Sequence, residues 1–361
     1  MSAPLLSEIL DVDRLRAHID AGDVKVRRHK SEPLDIYNYS AKCQFERIWT
    51  PETMACRGLI VHTDTGEVIA RPFSKFFNLE EHTGDVPWHE PHAITEKLDG
   101  SLGIAYLRPS DRRVCIATRG AFHSPQAEWA TDWLWRTHPE WFPAEGETSL
   151  FEILYPGSRV VVDYGANDGM VLLTSIDAER NENAIANNWP GSLVKTFAGG
   201  RDGMLAAVAT ARGVETEGFV VRFSSGLRVK VKAPDYVRLH RLVCALSTRR
   251  VWEVLSSGQN FGEFLECVPD EFASWVKSAR AGLERAVADI DSACRQTVED
   301  ARLAHGEDRR KLAEFIKARQ PVHSGVCFMM LDGKADRARQ AAWKAVYPAH
   351  ETFRSVDEAT S

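Results

Sequence analysis

The hydrophobic pattern of this chain changes its period once, and that change limits the folds open to it. Up to Val231, apolar and polar residues alternate in short runs, as in "CRGLIVHTDTGEVIARPF" and "EGFVVRFSSGLRVKVK". Such alternation belongs to strands buried on one face. From about residue 236 the spacing lengthens to threes and fours. Phe272, Val276, Ala279, Leu283, Ala286, Val287, Ile290 and Cys294 would share one face of a long helix, with Asp270 suited to its N-cap and Gly306 to its stop. "DRRKLAEFIKAR" and "KADRARQAAWKAVY" keep that period. The expected fold class is α+β. Antiparallel sheets with flanking helices, and a short N-terminal extension, occupy residues 1–242; an all-α domain occupies 243–361.

Turn signals place the strands of the first part. Residues 5–20 read as a short amphipathic helix, and "VKVRRH" and "LDIYNYS" as strands. The strongest hairpin signal is the turn at Thr63–Gly66. "AITEKLDGSLGIAYLRPSDRRVCIATRG" repeats the pattern around a turn at Pro109–Arg113. "SLFEILYPGSRVVVDYGANDGMVLLTSID" holds two or three strands, residues 203–212 are helical, and Ser224–Gly226 turn a last hairpin.

Composition excludes several classes of function. No apolar run of about eighteen residues exists, so no membrane partner is expected. The first residues turn acidic too early for a signal peptide, and a cytoplasmic protein is expected. Seven cysteines are scattered with no C-x-x-C pair, which argues against a zinc ribbon and a disulfide framework. A formal charge of −6 gives no general attraction to nucleic acid, so any such contact needs a local patch.

The chemistry shows in charged residues standing inside strands. "TEKLDGSLGIAY" puts Lys97 in a strand-like run, with Asp99 and Gly100 just behind. Alone, Lys-x-Asp-Gly is a pattern that chance supplies, and a lysine before a turn is commonly a solvated edge residue. Further cases accompany it: Glu152 between Phe151 and Ile153, Glu217-Gly218 opening an apolar strand, and Arg57-Gly58 before "LIV". Lys230 and Lys232 are two apart and so share a face. A solvated-edge explanation would have to hold for all of them at once.

In order, Arg57-Gly58, Lys75, Lys97-Leu98-Asp99-Gly100, Glu152, Glu217-Gly218 and Lys230-Val231-Lys232 resemble the covalent nucleotidyltransferases, the superfamily of polynucleotide ligases and RNA capping enzymes. The flanks "DIYNYSAKCQFERIWTPETMACRGLIV", "RPFSKFFNLEEH" and "KAPDYVRLH" resemble the RNA ligase 1 family typified by the phage T4 enzyme, over roughly residues 24–242. DNA ligases and capping enzymes place a β-barrel after the last motif. Here the sequence turns helical, which favours an RNA ligase without such a barrel.

The resemblance implies that Lys97 attacks the α-phosphorus of ATP and carries AMP as a phosphoramidate. Only a neutral amine attacks, so Lys97 is expected to be desolvated, beside the cations Lys230 and Lys232. Arg57 and Lys75 would bind the triphosphate, Phe77 and Val220 would pack on the adenine, and Glu96 would read its edge through the backbone. Glu152 would meet the ribose or a metal-bound water. Asp99, Glu152 and Glu217 would hold the waters of Mg²⁺ or Mn²⁺. Gly100 and Gly218 would let the backbone pass close to the nucleotide. Arg119 stands where the family tends to place a lysine, which leaves its role open.

The implied reaction joins an RNA 3′-OH to a 5′-phosphate through an RNA 5′-adenylate, with broken tRNA as a candidate substrate. A fungal-type tRNA splicing ligase preferring a 2′-phosphate is one alternative. A non-catalytic RNA-end binder on a ligase fold is another. No end-healing motif is visible, so separate healing enzymes would be partners; a monomer is expected. Arg27, Arg28, Lys30, Arg249 and Arg250 are candidate RNA contacts, with substrate choice assigned to the helical domain.

Overall fold

The computed structural model describes residues 3–82, 84–154, 161–162, 164, 168–182, 188–243, 246–266, 268 and 272–348. The chain divides into two compact units, Met1–Cys244 and Ala245–Ser361.

In unit 1, α1 (Leu6–Ile9) and α2 (Val12–Asp20) come first. They replace the single expected helix, because Leu10 is extended and the Asp11 side chain caps a new start by accepting from the Asp13 and Arg14 amides. Next come β1 (Val24–Arg28), β2 (Leu34–Tyr39), α3 (Ala41–Glu46), α4 (Pro51–Ala55), β3 (Arg57–His62) and β4 (Val68–Ala70). Then follow β5 (Phe77–Asn78), a 3-10 turn at Leu79–Glu81, β6 (His92–Lys97), β7 (Ser101–Leu107) and β8 (Val114–Thr118). The unit ends with α5 (Pro125–Thr137), β9 (Thr148–Leu154), β10 (Gly169–Ile176), α6 (Gly200–Thr210), β11 (Gly218–Phe223), β12 (Arg228–Lys232) and α7 (Pro234–Val243).

These strands form three four-stranded sheets, ordered β1-β2-β3-β4, β10-β9-β7-β8 and β5-β12-β11-β6. Every pairing between them is antiparallel except the short parallel one of β5 with β12. The first two sheets share a core, Leu34, Ile36 and Ile60 meeting Ile104, Tyr106 and Ala117. The other face of the second sheet buries Ile116, Phe151 and Ile153 against Ala130 and Leu134 of α5. The third sheet buries Ile94, Val221, Val229 and Val231 against Met204 and Val208 of α6.

One expectation needs correction. The stretch from Ala93 to Gly120, read as two strands around one turn, holds three strands: β6 lies in the third sheet, β7 and β8 in the second. Lys97-Leu98-Asp99-Gly100 is the crossing between sheets. Period-two alternation says which face a residue takes but not which sheet its strand joins.

Unit 2 contains α8 (Thr248–Ser257), α9 (Phe261–Glu266), α10 (Ala273–His305), α11 (Arg309–Arg319), α12 (Ser324–Leu331) and α13 (Ala335–Ala345), and no strand among the described residues. Gly306 ends α10, with its amide donating to the Arg302 carbonyl. Asp270, the expected N-cap, lies outside the described residues. Cys294, Val298, Leu312, Ile316 and Cys327 form the bundle's core. Among the described residues, no helix is long and apolar enough to cross a membrane.

Candidate active site

The register of the third sheet collects the charged residues. Lys97 lies opposite Gly218, and Gly218 opposite Lys232. The next row is Thr95, Val220, Lys230, and beyond it Ala93, Arg222, Arg228. Paired residues point to one side of a sheet, so Lys97, Lys230, Lys232 and Val220 share the face turned away from the α6 core. Glu217 immediately precedes β11. Lys97 Nζ donates to its Oε2 at 2.6 Å, and Lys232 Nζ is 2.9 Å from its Oε1. Burial alone would raise the Glu217 carboxyl, but the two ammonium groups outweigh it and hold the pKa below its ordinary value. Lys97 is 21% exposed at its side chain, and its ammonium is held in this ion pair with the buried Glu217 carboxylate.

Glu152 enters from the second sheet, on the face opposite α5. Its Oε1 accepts from the Gly100 amide at 3.1 Å. Burial pushes its carboxyl up to about 7; Lys97 and Arg57 pull it down, while Glu217 adds to the rise. Gly100 has a more local reason than the one expected. A Cβ there would stand 2.5 Å from the Ile153 carbonyl oxygen, so the glycine is required by the approach of β9. Gly218 is required likewise: its φ is +139°, and a Cβ would lie 2.1 Å from the Val231 carbonyl oxygen.

Two of the expected site residues have partners inside the fold. Asp99 is buried, and its carboxylate is taken up inside the fold. Oδ2 accepts from the Val161 and Val162 amides at 2.8 and 2.9 Å, and Oδ1 from the Tyr236 hydroxyl at 2.8 Å. Its amide donates to the Tyr164 hydroxyl. Asp99 therefore fixes the crossing behind Lys97, tying it to α7. The Glu96 amide donates to the Lys195 carbonyl at 2.9 Å.

Aromatic rings organise the remaining cations. Lys75, 5% exposed, has Nζ 5.4, 5.1 and 5.4 Å from the ring centroids of Tyr39, Trp49 and Phe77. Arg119 donates to the Tyr39 hydroxyl at 2.9 Å and lies over the same ring. Arg57 and Lys230 both lie over Phe76, at 5.4 and 5.6 Å. Phe77 thus packs in the Lys75 cluster, while Val220 sits half-buried on the sheet beside Lys230. Arg222 and Arg228 converge on Glu182 at 2.9 and 2.5 Å. Tyr39, Trp49, Phe76, Tyr164, Glu182 and Tyr236 were not singled out in the sequence. Tyr236, four residues after Lys232 in "KAPDY", had a signal available in its position next to a motif.

Among the basic candidates for RNA contact, Arg27, Arg28, Lys30, Arg249 and Arg250 are exposed. Arg28 is paired with Asp35, and Arg250 with Glu253. Among the described residues, no group of three or more His, Cys, Asp or Glu could hold a metal ion alone.

The profile of a protein family described as RNA ligase matches residues 55–236, which takes in the cluster from Arg57 to Tyr236. A Thermovibrio ammonificans protein named "Putative RNA ligase" is 29% identical over 229 residues, 56% of this chain and 57% of that one. An RNA ligase of Rhodothermus phage RM378 is 27% identical over 188 residues, 41% of this chain and 42% of that one. The chain spans about half the length of these curated relatives. Among solved structures, an archaeal ATP-dependent RNA ligase has 13% identity and a TM-score of 0.43 over 86% of each chain.

Proposed function

The chain belongs to the RNA ligase family of the T4 RNA ligase 1 type, and on that premise we propose that it is an ATP-dependent ligase joining RNA 3′-OH and 5′-phosphate ends. The observation that carries the reading is the Glu217 carboxylate bridging Lys97 and Lys232, which gathers three separate motifs at one point.

The reaction runs in three transfers. Lys97 Nζ, after leaving Glu217 and losing a proton, attacks the α-phosphorus of ATP. A P–N bond forms, the α–β P–O bond breaks, and pyrophosphate leaves. Lys230 and Lys232, fixed by the sheet register, are cations ready for the charge that builds on the α-phosphate. Arg57, Lys75 and Arg119, oriented by Phe76 and Tyr39, are the groups for the β- and γ-phosphates. Val220, on the face of Lys230, is the apolar surface for adenine, Phe77 stands with Lys75 beside the phosphates, and Glu152 is the partner for the ribose. AMP then passes to the RNA 5′-phosphate, restoring the amine, and the 3′-OH displaces AMP. Glu152 and Glu217 would hold the waters of Mg²⁺ or Mn²⁺, which supplies charge neutralisation on the phosphates when bound.

Unit 2 is assigned the choice of RNA, with broken tRNA as the candidate substrate and separate enzymes healing the ends. The test is a joining assay on a tRNA nicked in its anticodon loop, with and without a 2′-phosphate. Joining of 3′-OH/5′-phosphate ends is the expected result. Joining only with the 2′-phosphate would move the protein to the fungal-type reaction. No joining of either would leave an RNA-end binder.

A further inference from the structure

Unit 1 carries a concave feature on α5, the helix that covers the face of the second sheet opposite Glu152. There Trp129, Asp132, Trp135 and Arg136, all of α5, line a solvent-open depression of about 330 Å³ on the outer side of that helix. Trp129, Asp132 and Arg136 are spaced i, i+3, i+7 and so share one helix face. Both indoles are half-buried and held from behind. Trp129 stacks on Trp133, centroids 6.4 Å apart at 24°. Trp135 Nε1 donates to the Val114 carbonyl at 2.8 Å. The Arg113 guanidinium lies 3.6 Å from the Trp135 centroid, with Arg108 at 5.7 Å. Asp132 and Arg136 are exposed at the mouth.

We infer that this cavity takes an unpaired base of the RNA substrate, guanine in preference; the inference rests on the ligase reading and adds a contact remote from the adenylylation site. Tryptophan faces and an arginine plane are what splayed-out RNA bases stack on. Arg113 and Arg136 place positive charge where the flanking phosphates would run. The Asp132 carboxylate is an acceptor with two oxygens. Guanine presents two adjacent N–H donors on its Watson–Crick edge, whereas adenine and cytosine present an amino group alone and uracil one imino group. A basic peptide, drawn by Asp132, would meet like charge from both arginines.

The full-length chain is tested with fluorescein-labelled oligouridylates carrying one internal G or A, by anisotropy, alongside self-labelling with ATP. The wild type should bind the G oligonucleotide more tightly than the A one. Trp129→Ala should weaken binding about tenfold, on the scale of one lost base stack, and keep the wild-type rate of AMP labelling. Asp132→Asn, a change at an exposed side chain, should equalise G and A. Both variants binding both oligonucleotides as the wild type does would overturn the inference. Base-dependent binding by a wild type that takes no label from ATP would overturn the ligase reading and keep the cavity's assignment.

Discussion

Glu217 holds the charges of the site together, and its neighbours depend on it. Removing its charge by Glu217→Gln breaks the buried ion pairs that Lys97 and Lys232 make with it, a loss of about 3–5 kcal/mol for a broken buried pair. The expected outcome is a lowered melting temperature together with slow AMP labelling, read by calorimetry and gel. Lys230→Ala and Lys232→Ala should each slow labelling by roughly 10²-fold, the scale of one lost preorganised donor; rates near wild type would make them edge lysines. Glu152 gives a pH signature. Its folded pKa of about 7 is raised, so the folded state keeps a proton that the unfolded state has already lost. Its penalty is absent below the ordinary carboxyl range and grows as pH rises towards 7, to on the order of 3 kcal/mol. Glu152→Gln should therefore raise the melting temperature of the ligand-free protein at pH 8 and leave it little changed at pH 4; an equal shift at both would contradict the raised value. Lys97, Glu152, Glu217 and the late lysine pair were legible in the sequence because a charge inside an apolar strand needs a reason. The work of Asp99 was not, because its partners Val161, Val162 and Tyr236 are brought to it only by the fold.

At the scale of elements, the hairpins at Thr63–Gly66, Pro109–Arg113 and Ser224–Gly226 were legible because turn chemistry is local. The crossing at Lys97–Gly100 was not, since β6 and β7 look alike in sequence and part only in their partners. That crossing brings the Lys97 amine from one sheet to the Glu152 carboxylate on another. The hairpin of β11 and β12 carries the rest of the site, and Gly218 is its narrowest point. Gly218→Ala would push a methyl group against the Val231 carbonyl at a backbone angle that L-residues avoid. It should cost about 3 kcal/mol or more and spread Glu217 from Lys232, so both stability and labelling fall. A variant with wild-type melting and labelling would mean that the two strands can part without harm to the site.

At the scale of the whole molecule, the change of hydrophobic period announced the division into a sheet unit and a helical unit, and the site residues from Arg57 to Lys232 all belong to the first. A fragment ending at Cys244 is expected to fold and to label itself with AMP, while losing preference for its natural RNA, as a comparison with the full chain would show. A soluble fragment unable to take label would make the helices part of the nucleotide site. All of this hangs on one covalent event at Lys97. The direct measurement is to incubate the full-length chain with α-labelled ATP and Mg²⁺, denature it, and follow the label on the gel. Label is expected on the wild type, released by pyrophosphate, and none on Lys97→Ala, which should still seal RNA already carrying a 5′-adenylate. Undiminished labelling of Lys97→Ala would contradict that expectation.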